Sequence, residues 1–343
     1  MRVAIDAREL QGQPTGVGRV LAGILDAWKA LPQASAHEFI LCNPEGPRSG
    51  TLWEQFTLPG LARKANADVL FAPAYTGPIA SRIPMVTAVY DVSFAAHPEW
   101  FAAGEGLRRR VLTGISARRA ARVITSSEFS RREIARYLRV DPARVDVAYP
   151  GVTTMTSPLR GVGPDDVVLF VGSLFTRRHV GALIEGFGRL ARQQPEVRLE
   201  IVGDNRTNPR VDFGRLAAAS GAGDRIAIRS YVEDAALAAL YSRARAFVFL
   251  SEYEGFGLTP LEALAAGVPI LVLDTPVARE IYGDAALYIQ TPEPALIQTV
   301  LDRLLHDEAE RARILTAAQA VLPRYSWNSC ATTVLNALAR AAR

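Results

Sequence analysis

The densest set of candidate functional residues lies in the segment 251–283, where two carboxylates flank a glycine-rich loop. Glu254 opens the run Glu254-Gly255-Phe256-Gly257-Leu258, and seven residues separate Glu254 from Glu262. Glycines on both sides of an aromatic residue let the backbone approach a ligand closely, and carboxylates accept hydrogen bonds from hydroxyl groups. The amides at the start of the following helix suit an anion. This pattern fits a ligand with hydroxyls at both ends and an anion between them, such as a nucleotide sugar.

Part of the same segment also has a purely structural interpretation. Thr259 is a suitable N-cap, Pro260 fits the first helical position and Glu262 the third, which together form a capping box for a helix ending at Gly267. Two roles therefore stay open for Glu262, the cap and a ligand contact. Capping does not account for Glu254 or for the two glycines around Phe256.

A second glycine loop follows the first predicted strand. Gly16 and Gly18 lie directly before an apolar-periodic helix predicted over 17–31, and their amides could bind an anion at the helix start. The spacing is not that of a dinucleotide fingerprint, which places G-x-G-x-x-G immediately after the strand. A flexible glycine turn into the helix explains these two residues equally well.

Short apolar runs alternate with amphipathic stretches along the chain, which predicts parallel sheets with right-handed crossovers. Strand-like runs occupy 2–6, 37–43, 68–73, 85–91, 122–127 and 145–150, then 167–173, 197–204, 225–232, 246–252 and 269–275. Helical periodicity covers, among others, 18–31, 105–121, 128–139, 180–194, 234–244 and 259–267.

The residues between the two series of strands, 151–166, are rich in Gly, Pro, Ser and Thr and indicate an interdomain linker. We therefore predict two doubly wound α/β domains, 1–155 and 156–322. Their strand carboxyl ends should face a shared cleft, because such folds bind ligands at those ends. The remaining residues, 323–343, are too few for a domain and should pack back on one.

Composition excludes several other classes of protein. The chain has 343 residues, of which 49% are hydrophobic, so it can bury two cores. No apolar run is long enough for a membrane span, and charged residues near the start leave no room for a secretory signal, so we expect a cytoplasmic protein. Cys42 and Cys330 show no metal or disulfide pattern and are expected to be reduced thiols. A net charge of +4 gives little support for nucleic-acid binding.

One stretch is markedly more basic than the rest of the chain. Residues 105–139 hold ten arginines against three glutamates, with apolar residues at helical spacing at its start. Such a segment could place the protein at the inner face of an anionic membrane. A solvated helix face in an arginine-biased chain is the alternative that we favour.

The run E-G-F-G-L-T-P-L-E at 254–262 resembles the EX7E motif of retaining GT-B glycosyltransferases, and its continuation AAGVPILVLDTPVAREIYG is similar to glycosyltransferase family 4. The resemblance extends over nearly the whole chain, through AIDAREL…TGVGR, VYDVSFAAHPEWF, TSSEFSRREIARYL, FVGSLFTRRHVGALIEGF, SYVEDAALAALYSRA and YSWNSCATTVLNAL. It implies two Rossmann-like domains, an acceptor side followed by a donor side, and a C-terminal helix that crosses back to the first domain.

The resemblance also implies roles for single residues of the donor side. Glu254 would contact the donor hexose, Glu262 the ribose, and the amides beside Gly255 would approach the sugar and diphosphate. Arg177 and Arg178 occupy the family's Arg-Lys pair, which neutralises the diphosphate, although Arg178 departs from the usual lysine. The amides beside Gly255 that would approach the sugar and diphosphate are those of Phe256, Gly257 and Leu258. Tyr231 and Val232 would border the base.

On the acceptor side the resemblance points to Tyr90 and Asp91. Many members of the family have His-Asp at this place, so Tyr90 is a second departure. A tyrosine can still donate a hydrogen bond but is not cationic near neutral pH. His97, seven residues on, is expected to be structural.

The function implied is a metal-independent retaining transfer of a hexose from a nucleotide-diphosphate sugar. GDP-mannose is the first candidate donor and UDP-hexoses follow, with a glycan, a lipid-linked molecule or a small molecule as acceptor. No cofactor is implied besides this co-substrate. An epimerase or phosphorylase of the same fold, a nicotinamide-dependent oxidoreductase and a non-catalytic sugar-nucleotide-binding protein are the alternatives.

Overall fold

The computed structural model describes residues 1–12, 16–44, 50–153 and 166–343. The chain divides into two compact units, one formed by Met1–Gly151 with Tyr325–Arg343 and the other by Val152–Arg324. The boundary predicted between residues 155 and 156 lies outside the described residues, as does most of the predicted linker. Each unit is built around its own parallel sheet.

The first unit has a six-stranded sheet in the order β2-β1-β3-β4-β5-β6, with every neighbouring pair parallel. The strands are β1 (Arg2–Asp6), β2 (Glu38–Cys42), β3 (Val69–Ala72), β4 (Met85–Ala88), β5 (Arg122–Thr125) and β6 (Val145–Val147). The helices between them are α1 (Gly16–Ala30), α2 (Leu58–Lys64), α3 (Ser93–Ala96), α4 (Ala103–Arg119) and α5 (Glu128–Leu138). Shorter helical turns are Arg8–Leu10, Pro32–Ala36, Trp53–Thr57, Pro98–Trp100 and Pro142–Arg144.

The second unit has a six-stranded parallel sheet in the order β12-β11-β10-β7-β8-β9. Its strands are β7 (Val167–Val171), β8 (Arg198–Val202), β9 (Ile226–Arg229), β10 (Ala244–Phe249), β11 (Ile270–Leu273) and β12 (Leu287–Ile289). Its helices are α6 (Val180–Ala191), α7 (Phe213–Ala219), α8 (Asp234–Arg243), α9 (Leu258–Ala265), α10 (Pro276–Tyr282), α11 (Pro294–His306) and α12 (Glu308–Val321). Helical turns lie at Thr176–Arg178, Gly223–Arg225 and Leu322–Arg324.

The central strands follow the continuous apolar runs of the sequence. Helices cover both faces of a doubly wound sheet, so successive side chains of these strands are buried whichever way they point. Val69–Ala72 and Val168–Phe170 are each 0% exposed. The prediction of two α/β units with parallel sheets is confirmed.

Three details of the prediction are wrong. The second sheet has a sixth strand, β12, which is only three residues long and gives a weak apolar signal. The runs 85–91 and 225–232 extend past their strands, which end at Ala88 and Arg229, so the residues beyond lie in loops. Helix α1 begins at Gly16, so Gly16 and Gly18 belong to its first turn rather than to a loop before it.

The last helix of the chain, α13 (Trp327–Ala341), packs on α1 in the first unit. The indole of Trp28 donates a hydrogen bond to the carbonyl of Ala331 (2.9 Å). A Cβ atom on Gly23 of α1 would lie 2.6 Å from the Trp327 ring, and a Cβ on Gly151 would meet the same ring. The indole of Trp327 therefore occupies a space that two missing side chains leave. Among the described residues, no helix is long and apolar enough to cross a membrane.

We predict that Gly23→Ala destabilises the first unit, because the methyl group would overlap the Trp327 ring. The expected loss is about 1–3 kcal/mol, as for other overpacked sites. Urea unfolding followed by circular dichroism measures it. Gly60→Ala in α2 is the matched control, since a Cβ there meets no atom within 4 Å, and it should be neutral or stabilising by up to about 1 kcal/mol. Equal midpoints for the two variants would contradict the packing argument.

Candidate functional site

The candidate site of the second unit lies where its strand order reverses. β7 and β10 are hydrogen-bonded neighbours, and the chain leaves them toward opposite edges of the sheet. Parallel sheets of this type bind ligands outside the carboxyl ends of the strands at such a point. The loop after β7 carries Arg177 and Arg178, and the loop after β10 carries Glu254. The topology thus places these three predicted residues on adjacent loops.

Arg178 and Glu254 form a direct ion pair. Nε and Nη2 of Arg178 lie 2.8 and 2.7 Å from Oε1 of Glu254. The third nitrogen, Nη1, donates to the carbonyl of Ser173 (2.9 Å). The side chains of the pair are 12% and 15% exposed, so solvent screens the interaction little. The arginine fork therefore fixes the carboxylate from one side and the backbone of its own loop from the other.

Gly172 makes room for this arginine. Its φ of +142° lies in a region that residues with a side chain rarely adopt, and a Cβ there would lie 2.7 Å from Nη1 of Arg178. The ring of Phe249, the last residue of β10, lies 4.8 Å from the guanidinium carbon of Arg178. The guanidinium is thus held between a glycine and an aromatic ring, which is a favourable cation–π arrangement.

Arg177 joins the same two loops from below the surface. The residue is 7% exposed, and its Nε donates to the carbonyl of Tyr253 (3.0 Å). Its own carbonyl accepts a hydrogen bond from the amide of Glu252 (3.0 Å), and its guanidinium stacks on Phe175 at 4.3 Å. The predicted pair is therefore divided in its contacts: Arg178 reaches a carboxylate, while Arg177 holds backbone.

The surroundings of Glu254 favour its charged form. Burial alone would raise the pKa of Glu254. The charges of Arg178 and Arg177 outweigh this effect, together with hydrogen bonds from Arg178 and from the Ser251 hydroxyl (2.8 Å), so the pKa lies below its usual value of 4.5. Glu254 is therefore a carboxylate near neutral pH and can accept, but not donate, hydrogen bonds.

The glycine loop ends where helix α9 begins, and the position predicted for this helix start is wrong. Helix α9 begins at Leu258 with Gly257 as the N-cap, so Thr259 and Pro260 lie within the first turn and the capping box is wrong. Gly257 has a φ of +90°, and a Cβ there would collide with the hydroxyl of Tyr282. That hydroxyl instead donates to the carbonyl of Gly257 (3.0 Å). Because the N-cap is a glycine, the helix start has no capping side chain and consists of backbone groups.

Glu262 lies one turn further along α9 and is 6% exposed. Its Oε2 accepts a hydrogen bond from the hydroxyl of Tyr241 on α8 (3.0 Å). The carboxylate is therefore oriented by a neighbouring helix, and the structural role predicted for it, a box with Thr259 as N-cap, does not apply.

Tyr231 and Val232 follow β9, in the loop that leads to α8. Tyr231 is 42% exposed. The residue before it, Ser230, lines a cavity of about 720 Å³ at the carboxyl ends of β8 and β9. Other residues around this cavity are Leu174, Gly203, Asn205, Arg206 and Asp212. Tyr231 and Val232 thus directly follow a residue that lines the cavity, but are not themselves among its lining residues.

The first unit carries the other predicted residues, Tyr90 and Asp91, directly after β4. Oδ1 of Asp91 accepts from the amide (2.9 Å) and hydroxyl (2.6 Å) of Ser93, and Oδ2 accepts from the hydroxyl of Tyr75 (3.1 Å). Burial raises the pKa of Tyr90, so its phenol stays neutral. Tyr75 itself has a φ of +66°, an uncommon backbone for a residue with a side chain.

Sequence reasoning missed a group of charged residues in the first unit. Nη2 of Arg8 lies 2.6 Å from Oδ2 of Asp6 and 2.7 Å from Oε2 of Glu54, and the hydroxyl of Thr76 donates to that same Glu54 oxygen (2.7 Å). Both carboxylates are nearly fully buried. The sequence gives one sign of this group, Asp6 at the end of an apolar strand. Glu54 lies far away along the chain, so no local pattern links it to Asp6.

The sequence also gave no sign of Tyr282, Tyr241 and Ser251, the residues that hold the glycine loop and the two glutamates. Tyrosines are common in cores and nothing in their spacing marks these two. Within the residues that the structure describes, no group of three or more His, Cys, Asp or Glu side chains could hold a metal ion.

We predict that the ion pair stabilises the second unit only while Glu254 is charged. Because the pKa of Glu254 is lowered on folding, this stabilisation is complete above about pH 4.5 and is lost as the pH falls further. Glu254→Gln should therefore lower the free energy of unfolding by about 1–3 kcal/mol near pH 7. This gap between the variant and the wild type should close in acid. Urea unfolding over a pH series measures the gap. A gap that does not change with pH would contradict the assignment.

Two family models match most of the chain. Residues 158–321 match the family model of glycosyl transferases group 1, and residues 26–155 match that of Glycosyltransferase Family 4. The two matches fall on the second and first halves of the chain. They include every predicted donor-side residue except Gly16 and Gly18, together with Tyr90 and Asp91.

Relatives and solved structures point the same way. The chain is 26% identical over 264 residues to O-antigen chain mannosyltransferase B of Escherichia coli, covering 74% of this chain and 69% of that protein. It is 30% identical over 239 residues to D-inositol 3-phosphate glycosyltransferase of Frankia alni, covering 63% and 58%. The structure of Anabaena Alr3699/HepE in complex with UDP-glucose has a TM-score of 0.75 and 20% identity, covering 98% of this chain and 100% of that one. The chain belongs to the group 1 (family 4) glycosyltransferases of the GT-B fold.

Proposed function

We propose that this glycosyltransferase moves a hexosyl group from a nucleoside-diphosphate sugar to an acceptor hydroxyl with retention of configuration and without a metal ion. The observation that carries the proposal is the Arg178–Glu254 pair beside the open helix start at Gly257. It combines a cation for the diphosphate, a carboxylate for sugar hydroxyls and helix amides on neighbouring loops.

The charges of this group suit a diphosphate. Arg177 and Arg178 contribute two positive charges and Glu254 one negative charge, so these three residues leave an excess of one positive charge. The start of α9 adds the partial positive charge of a helix N-terminus. A diphosphate would meet this positive potential, while the sugar hydroxyls would meet the carboxylate of Glu254.

The same arrangement favours the departure of the leaving group. As the bond between the sugar C1 and the diphosphate oxygen breaks, negative charge grows on the diphosphate, and Arg177, Arg178 and the start of α9 stabilise it. The acceptor oxygen forms its bond to C1 on the same face, and its proton passes to the leaving phosphate oxygen. Cationic side chains thus supply the charge stabilisation that a bound metal supplies elsewhere, which supports a metal-independent transfer.

The rest of the nucleotide extends toward β9 in this proposal. Glu262, oriented by Tyr241, accepts hydrogen bonds from the ribose hydroxyls. The cavity at the ends of β8 and β9 receives the base beside Tyr231 and Val232. An E. coli relative is named a mannosyltransferase and a solved neighbour contains UDP-glucose, which supports GDP-mannose or a UDP-hexose as donor.

The acceptor side is the carboxyl edge of the first sheet. Asp91 is held by Ser93 and Tyr75, which orients its carboxylate, and Tyr90 has a neutral phenol. We propose that these residues position the acceptor or the donor sugar by hydrogen bonds. A glycan, a lipid-linked molecule or a small molecule remains the acceptor class.

We predict that purified protein binds one class of nucleotide sugar and slowly hydrolyses it. Thermal shift and nucleotide release over UDP-, GDP-, ADP- and dTDP-sugars identify the base and the sugar, with chelator present or absent in parallel. GDP-mannose or a UDP-hexose should raise the melting temperature, and chelator should leave hydrolysis unchanged. Binding of NAD and of no nucleotide sugar would overturn the proposal, and loss of activity with chelator would overturn its metal-independent part.

We further predict that Glu254→Ala and Arg178→Ala each lower turnover at least about 100-fold, the scale expected when a preorganised charge is removed from a reacting centre. Arg189→Ala is the matched control, because Arg189 also pairs with a glutamate, Glu185, but on the exposed surface of α6. It should keep wild-type rates. Near wild-type turnover in either site variant, with folding intact by circular dichroism, would rule out the assignment.

A further inference from the structure

Four large apolar side chains of the first unit are exposed on two neighbouring helical segments. Leu52 and Phe56 are each 76% exposed, Leu107 is 64% and Val111 46% exposed. Each pair is spaced by four residues on a helical segment, so both members lie on the same side of it. We call these four residues, with Arg108 and Arg110, the apolar-basic surface.

The two segments of this surface lie side by side. Nη1 of Arg108, near the start of α4, is within 3.5 Å of the hydroxyl of Thr51. The segment of Leu52 and Phe56 is fixed from beneath, since Trp53 and Glu54 are buried and Glu54 is paired with Arg8. The exposure of Leu52 and Phe56 therefore belongs to an anchored turn and not to a fraying end.

The charges of α4 are arranged around its apolar stripe. At 100° per residue, Arg110 and Arg108 lie on either side of Leu107 and Val111, while Arg109 points the other way. Arg109 is paired with Glu105 (2.7 Å) and stacks on Phe101. Among the described residues, neither Arg108 nor Arg110 takes part in an ion pair. Two arginines are thus left to face the same side as the apolar residues.

Three other arginines of the basic run have partners on their own unit. Arg118 donates to the carbonyl of Leu138, Arg122 pairs with Asp146, and Arg131 pairs with Glu128. The basic run 105–139 is therefore not a single cationic face. Arg119, Arg132, Arg136 and Arg139 are exposed as well. Arg108 and Arg110 differ from them in lying beside exposed apolar residues, at the start of α4 and next to a turn that the sequence did not mark.

We propose that the apolar-basic surface docks on an anionic lipid bilayer, with Leu52, Phe56, Leu107 and Val111 entering the boundary between headgroups and acyl chains and Arg108 and Arg110 contacting headgroup phosphates. Apolar residues flanked by arginine are the composition of interfacial segments. Each arginine near an anionic surface adds attraction, and long basic side chains reach phosphates while their stems stay in the apolar layer.

The charges favour a bilayer over a second copy of the chain. A two-fold contact between copies places the same patch on both sides. Arg108 and Arg110 of one copy would then meet those of the other. On the two described segments of this surface, the exposed carboxylate is Glu105, which Arg109 already engages. An anionic bilayer supplies the missing negative charge without a matching shape.

The test is flotation of the purified full chain with phosphatidylcholine vesicles, with and without phosphatidylglycerol. We expect binding to the anionic vesicles only, weakened by added salt. Leu52→Ser combined with Phe56→Ser should lower the partition coefficient at least about tenfold, because two apolar side chains no longer enter the bilayer. Arg108→Gln combined with Arg110→Gln should lower it at least about tenfold at low salt.

The matched control changes the same residue types on the second unit, Arg215→Gln combined with Leu216→Ser on α7, where Leu216 is 38% exposed. This variant should bind as the wild type does. Melting temperatures by circular dichroism confirm that all variants fold. Absence of binding to anionic vesicles, or equal binding by the Leu52/Phe56 variant, would overturn the proposal. So would a wild-type dimer in analytical ultracentrifugation that this variant converts to monomer, because the surface would then be a contact between copies.

Discussion

The ion pair between Arg178 and Glu254 is the interaction on which the loops of the second unit depend. It joins the ends of β7 and β10, two neighbouring strands whose loops have no sequence continuity. Removing either partner would leave the other charge largely buried without compensation, which costs several times more than the pair contributes. The pair is therefore a stronger constraint on geometry than a source of stability. The bond from Arg177 to the carbonyl of Tyr253 and the bond from the Ser251 hydroxyl to Glu254 reinforce the same geometry.

Two glycines leave the space that this pair and its neighbours occupy. Gly172 leaves room for the guanidinium and Gly257 for the hydroxyl of Tyr282, and both have backbone angles that favour glycine. Tyr282 then holds the carbonyl of Gly257, which sets the start of α9. A helix N-terminus and a charged pair thus come to lie on adjacent loops because two positions lack a Cβ atom.

Much of this architecture could be predicted from the sequence, and the reasons for the failures are physical. Buried parallel strands need continuous apolar runs, so all but the three-residue β12 were evident. The charges and glycines of the site are conspicuous because they interrupt those runs. The start of α9 was misplaced because Thr259 has the side chain of a good N-cap, whereas the observed cap, Gly257, is selected by its backbone angle and by Tyr282. Contacts such as Tyr241 with Glu262 join separate helices, which local patterns do not encode.

The arginine at position 178 makes a set of contacts that a lysine could not make together. Its Nε and Nη2 reach Glu254 while Nη1 reaches the carbonyl of Ser173 on the far side. A lysine ammonium is a single centre and lacks the planar fork that makes these contacts together. The planar group also packs on the ring of Phe249. The arginine thus couples the cation of the site to the position of Glu254, so any group that draws Arg178 toward itself also acts on the carboxylate beside it.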